Sequence, residues 1–186
     1  MSKVDVLWQF IRTFEGGFVN DPDDAGGATN RGVTIATWRK QGYDKDNDGD
    51  IDVADLKIIT DDDAMNIMKR NYWDSWKADN IIDQSIANIL VDWVWGSGSY
   101  GIKIPQRMLG VKVDGVVGPK TIDALNRKNA RSFFDEIKKE RADYFERICE
   151  LNSRNRKFLN GWIRRLNSIG YGWLILNDKK KTKIYF

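Results

Sequence analysis

The chain has no histidine and a single cysteine, Cys149. Without imidazole there is no Ser-His-Asp triad, no HExxH zinc site and no histidine general base. With one cysteine there is no internal disulfide and no cysteine-rich zinc site. If the protein is an enzyme, carboxylates are the obvious groups for moving protons. Long apolar runs are missing too: none reaches the roughly 18 residues of a membrane helix, so no span is expected. The N-terminal MSKVDVLWQF lacks an apolar h-region and a small-residue cleavage site. It therefore predicts cytoplasmic synthesis without a Sec signal. Glutamate is scarce where aspartate is plentiful: Glu15 is the only glutamate ahead of Glu136.

What is present reads as an ordinary soluble globular protein. The 186 residues are 41% hydrophobic and 31% charged, enough for one good core or a core with a small satellite. The net charge of +3 is split, with −6 over residues 1–126 and +9 over 127–186. A basic end of this kind suits an anionic polymer such as nucleic acid or cell wall, or is a solvated helix face followed by the lysine-rich NDKKKTK. No nucleic-acid reading motif accompanies it. Eight tryptophans are many; indole fills cores and also covers the C–H faces of sugars.

The periodicity predicts a mainly α chain with little or no sheet. Val4, Leu7, Ile11 and Phe14 set a helix over 3–14, stopped by Gly16-Gly17. Residues 18–33 read as a turn-rich loop, followed by a Thr34-capped helix over 35–41 and a short one over 53–58. Thr60 with Asp63 is a capping-box variant for a helix over 61–72. DQSIANILVDWVWGSG predicts a buried central helix over 82–95, and YGIKIPQRMLG another that must accommodate Pro105. Pro119 opens a further helix, and two long ones follow over 130–151 and 156–169. The expected divisions are 1–97, 98–175 packed against it in one globule, and a basic tail over 176–186, in a monomeric chain.

DKDNDGDIDVAD, residues 44–55, fits the twelve-residue EF-hand loop. Asp44, Asp46 and Asp48 take positions 1, 3 and 5, and Gly49 the sharp turn at position 6. Asp50 would bind through its carbonyl, Asp52 stands at the position often bridged by water, and Asp55 replaces the usual final glutamate. The alternative is a plain acidic loop, but so many carboxylates in one short segment repel one another without a cation. Calcium with a structural role is expected there.

Glu15 lies between Phe14 and Gly16-Gly17-Phe18. On its own it reads as a helix-end residue. It also has the setting required by glycosidic cleavage, which needs a carboxylic acid that can donate a proton to the leaving oxygen at the edge of an apolar cleft. Asp21, Asp24, Thr29 and Asn30 follow as groups to orient water or hold sugar hydroxyls, and Tyr72, Trp73 and Trp95 as aromatic cleft walls or core.

EGGFVNDPDDAGGATNRGVTIATW resembles the N-terminal signature of glycoside hydrolase family 108, lysozyme-like N-acetylmuramidases that include proteins once described as secretion activators. RNYWD at 70–74 matches a second segment, and MLGVKVDGVVGPKTIDAL at 108–125 resembles the predicted peptidoglycan-binding region that usually follows. The likeness covers roughly residues 4–170, and an acidic insertion like 44–55 occurs in some members. It implies a helical lysozyme-like fold with Glu15 as the catalytic acid, Asp24 or Asp21 as a second group, and peptidoglycan strands as the substrate. Phe18 and Ala25 stand where many relatives carry Tyr and Pro, which removes a possible hydroxyl contact but leaves the acid in place. Three readings are therefore carried forward: a muramidase cleaving the β-1,4 bond between N-acetylmuramic acid and N-acetylglucosamine, a lytic transglycosylase using the same Glu15, and a non-catalytic calcium- or wall-binding module affecting secretion.

Overall fold

The computed structural model describes residues 2–20 and 27–186. Helix α1 (Val4–Phe14) buries Leu7, Trp8, Phe10 and Ile11 on one stripe. It ends where Glu15 turns extended, at φ −86° and ψ 142°. Neither Gly16 nor Gly17 adopts a positive φ, so the expected glycine stop is not a left-handed cap. What the glycines provide is room: a Cβ on either would meet nothing within 4 Å.

The chain continues extended. Val19 and Thr29 exchange backbone hydrogen bonds of 2.8 Å, and the hairpin β1 (Thr29–Asn30) and β2 (Val33–Thr34) follows. Its two-residue turn, Arg31-Gly32, has φ of 52° and 77°. Two positive φ values make the mirror-image turn whose twist matches a hairpin. Thr34 caps α2 (Ile35–Gln41) as expected, accepting from the Thr37 N–H at 3.2 Å. After α3 (Val53–Lys57), Thr60 and Asp63 form the reciprocal capping box of α4 (Asp61–Met68). The helix expected to run to residue 72 is α-helical only to Met68; Lys69–Trp73 is a π-helical turn. Such turns re-aim the side chains they carry and often occur at functional sites. Here Tyr72 stays half-buried against the Trp95 ring, 4.7 Å between centroids, while Trp73 enters the core.

Helix α5 (Gln84–Ser97) is the axis of the molecule, with every residue from Ser85 to Val94 buried. It starts two residues later than predicted because the Asp83 side chain caps it, accepting from the Ile86 N–H at 3.0 Å. α6 (Tyr100–Leu109) packs closely on it at Gly101, where a Cβ would fall 2.5 Å from the Val94 nitrogen. Pro105 is tolerated inside α6 for a specific reason. It removes the N–H that would bond the Gly101 carbonyl, and Trp76 Nε1 donates to that carbonyl instead, at 3.2 Å. α7 (Pro119–Asn126) opens on proline as expected, and α8 (Ala130–Leu151) and α9 (Arg156–Asn167) cover the other side of α5. α9 ends before 169 because Ile169–Gly170 forms β3, which with β4 (Trp173–Ile175) and β5 (Lys183–Tyr185) makes an antiparallel three-stranded sheet in the order β3-β4-β5. The segment expected as a basic tail thus folds back on the chain. The fold is mainly α, and among the described residues the sheets are confined to these two small ones.

Candidate active site

Glu15 brings three distant elements together. Its side chain is about one-fifth exposed. Its Oε1 accepts the Trp95 Nε1–H at 3.0 Å, from the end of α5. Arg165 Nη1, from α9, lies 3.7 Å from the same oxygen, a charge contact too long for a direct hydrogen bond. The Arg165 guanidinium is itself fixed. Its Nε and Nη2 donate to Asp92 Oδ1 at 3.1 and 2.8 Å, and its plane lies over the Phe14 ring, 4.8 Å from the centroid. Asp92 is fully buried and takes Arg141 Nη2 on its other oxygen at 2.8 Å. Burial pushes the Asp92 carboxyl up, but the two guanidinium groups outweigh it and hold it below the usual carboxylate range.

The hairpin turn closes the site from the opposite side. A Cβ on Gly32 would fall 2.9 Å from Glu15 Oε2 and 2.8 Å from the Trp95 ring, so only glycine fits, quite apart from its positive φ. Tyr72 packs on Trp95, and burial together with the Glu15 carboxylate pushes its hydroxyl up, keeping it a neutral donor.

A cleft of about 520 Å³ opens from Glu15 along Gly16, Gly17 and Phe18. Its other wall carries Arg12, Arg31, Lys57 and Asp61. Asp61 receives Arg12 at 3.1 Å and also Arg31, so among the described residues the second carboxylate of this cleft is tied into ion pairs. The arrangement pairs a partly shielded acid with an open, glycine-floored groove, which suits proton donation to a bound polymer.

The structure sorts the candidates read from sequence. Glu15, Tyr72 and Trp95 come together. Trp73 does not join them: it is fully buried with its N–H on Asp79 at 2.7 Å, and so packs the core. Asn30 borders the cleft, but its amide is spent on the Leu56 and Lys57 carbonyls at 2.9 and 3.1 Å, which ties the hairpin to α3. The Thr29 hydroxyl turns to the Gly27 carbonyl at 3.4 Å. Asp21 and Asp24 lie outside the described residues. Reasoning from sequence missed Gly32, Arg31, Asp92 and Arg165. The one available signal was Asp92, the sole charged residue of a strongly apolar helix.

In the acidic loop, carboxylate oxygens of Asp44, Asp46 and Asp48 lie within 4.8 Å of one another, and so do those of Asp50, Asp52 and Asp55. The expected single shell is thus drawn as two trios. The loop is nevertheless pre-shaped. Asn47 and Gly49 take φ of 62° and 104°, and Asp44 accepts the N–H groups of Asn47, Asp48 and Gly49. Asp55, fully buried, accepts those of Lys45, Asp46 and Asp52. A hard, all-oxygen donor set with lone pairs to spare fits a calcium ion.

Two stretches of the chain match known families. Residues 8–98 match the model described as Glycosyl hydrolase 108, and residues 100–167 match the Predicted Peptidoglycan domain. The chain thus carries a glycosyl hydrolase 108 region followed by a predicted peptidoglycan region. Its fold is similar to the structure of Brucella abortus SagA, with 29% identity, a TM-score of 0.66 and 86% of each chain covered. A search of curated proteins gives no match. The two matches together support a peptidoglycan hydrolase with glycosidase activity, directed at the cell wall. Among the described residues no helix is long and apolar enough to cross a membrane.

Proposed function

We propose that this protein is an N-acetylmuramidase of the lysozyme type. It cleaves the β-1,4 bond between N-acetylmuramic acid and N-acetylglucosamine, with Glu15 as general acid. The observation that carries the reading is the pairing of Glu15 with the open cleft. One carboxyl oxygen is held by Trp95 and faced by Arg165, at the end of a groove whose floor is Gly16-Gly17. Trp95 and Tyr72 form an aromatic wall beside that oxygen; neither ring lines the cleft itself, so the wall would meet a sugar C–H face only past Glu15. Calcium held by Asp44, Asp46 and Asp48 with Asp50, Asp52 and Asp55 would brace the connection between α2 and α3, and Asn30 ties the hairpin to the end of α3. Its part is structural, since it would supply charge neutralisation to the loop and no reacting group.

The test is digestion of purified peptidoglycan by the wild type and Glu15→Gln, with mass analysis of the fragments. A muramidase adds one water per bond cut, and the variant loses about 10²- to 10⁴-fold in rate. Anhydro products, one water lighter, would assign the chain to the lytic transglycosylases instead. Equal clearing by both proteins would remove Glu15 from the mechanism. Binding without cleavage by either would leave a wall-binding module.

A further inference from the structure

We propose that Arg165 is a positioning residue for Glu15, and that Glu15 Oε2 is the oxygen that carries and gives the acid proton. The inference rests on the reading of Glu15 as general acid. One donor and one cation meet Oε1, the Trp95 indole N–H at 3.0 Å and the Arg165 guanidinium in charge contact at 3.7 Å. A proton on Oε1 would point at an N–H and at a cation, so the acid form places its proton on Oε2. Oε2 takes neither of these partners and lies beside Gly32, where a Cβ would fall 2.9 Å from it. When the proton passes from Oε2 to the glycosidic oxygen, the C–O bond breaks, its electron pair goes to that oxygen, and Glu15 is left as a carboxylate. Arg165 and Trp95 already stand where that negative charge develops, with no reorganisation required.

Arg165 can hold this place because it is clamped from behind. Its fork closes on Asp92 Oδ1, Phe10 and Phe14 lie beneath its plane, and its side chain is only 17% exposed. The residue belongs to α9, within the stretch matching the Predicted Peptidoglycan domain, whereas Glu15 belongs to the hydrolase match. The second region therefore completes the catalytic site of the first, in addition to whatever hold it has on the wall.

The test compares full-length wild type, Arg165→Met, Arg165→Lys and Glu15→Gln on soluble glycan fragments, with steady-state kinetics and a melting curve for each. Arg165→Met is expected to lower kcat by about tenfold or more while KM changes little, since the loss falls on the transition state. Arg165→Lys, which keeps the cation but not the planar fork, should give a kcat between the two. A folded Arg165→Met with wild-type kcat overturns the inference, and so does a raised KM with unchanged kcat. If Arg165→Met does not fold, Arg165→Lys decides: wild-type kcat overturns the inference, and a lowered kcat with KM unchanged supports it. Activity retained by Glu15→Gln would remove the acid reading itself. An inactive Glu15→Gln beside an unaffected Arg165→Met would remove only the positioning role.

Discussion

Asp92→Asn tests whether the charges beneath the active site act as a unit. Asp92 is fully buried and pairs with Arg141 at 2.8 Å on one oxygen and Arg165 at 2.8 Å on the other. The amide keeps the shape but removes the negative charge, and its NH₂ would confront donors on one side. Two guanidinium groups, one only 3% exposed, then lack their counter-charge. Breaking a buried pair by removing one partner costs about 3–5 kcal/mol. At about 2–4 °C per kcal/mol for a chain of this size, the melting temperature should fall by about 10 °C. Circular dichroism melts of wild type and variant measure this directly. A fall of less than about 3 °C would refute the view that the pairing is required for the folded state. The companion variant replaces Asp92, Arg141 and Arg165 together by Leu, Met and Met. Apolar groups of similar size often restore the stability lost with a buried ion pair. Stability should therefore return, while activity stays low because Glu15 has lost Arg165. The pH dependence has a definite sign. The folded carboxyl of Asp92 sits below its unfolded value of about 3.9, so its contribution is present in full above that pH and is lost as the solution is acidified below it.

Gly32→Ala should cost about 1–2 kcal/mol from the positive φ alone and lower kcat further, because the new methyl meets Glu15 Oε2 and the Trp95 ring; a wild-type kcat would show that the turn does not seat the acid. Trp95→Phe keeps the aromatic wall but removes the N–H on Oε1, and should lower kcat more than it raises KM in steady-state assays. Calcium at about a hundred times its Kd should raise stability by about 2.7 kcal/mol, read as a melting shift of roughly 5–10 °C that a chelator reverses and that Asp44→Ala with Asp48→Ala abolishes; absence of heat in calorimetric titration would remove the metal.

Local chemistry made most of the helices legible. Thr34 and the Thr60–Asp63 pair cap where their side chains predict, Pro119 opens α7, and the bounds of α8 agree to the residue. The departures have physical causes. The π turn at Lys69–Trp73 packs on α5, which is distant in the chain, whereas α9 ends at a local feature, the tight β3–β4 hairpin in which Gly170 pairs with Trp173. Trp73 and Trp95 illustrate the limit for the site. Both are tryptophans near helix ends, yet one meets Asp79 inside the core and the other meets Glu15 eighty residues away. The acid was readable because its motif is contiguous. Arg165 was not, because helical periodicity places it on a charged face and only the tertiary fold turns that face toward Asp92.

The ion pairs of Asp92 also explain why a charged residue stands in the buried run of α5. A leucine at 92 would pack as well and avoid the desolvation of three charges. What it would lose is the anchor of Arg165, and with it the fixed side of the Glu15 carboxyl. Glu15 stands at the frayed end of a helix, next to two glycines that open the groove to a polymer, and that freedom works against a defined aim. The fold answers with rigid partners from elsewhere: Trp95 from the most buried helix, Arg165 clamped by Asp92, and the Gly32 turn on the far side. Orientation supplied by a rigid shell, with flexibility left to the strand-binding side, is the division expected where binding energy must be spent on the transition state.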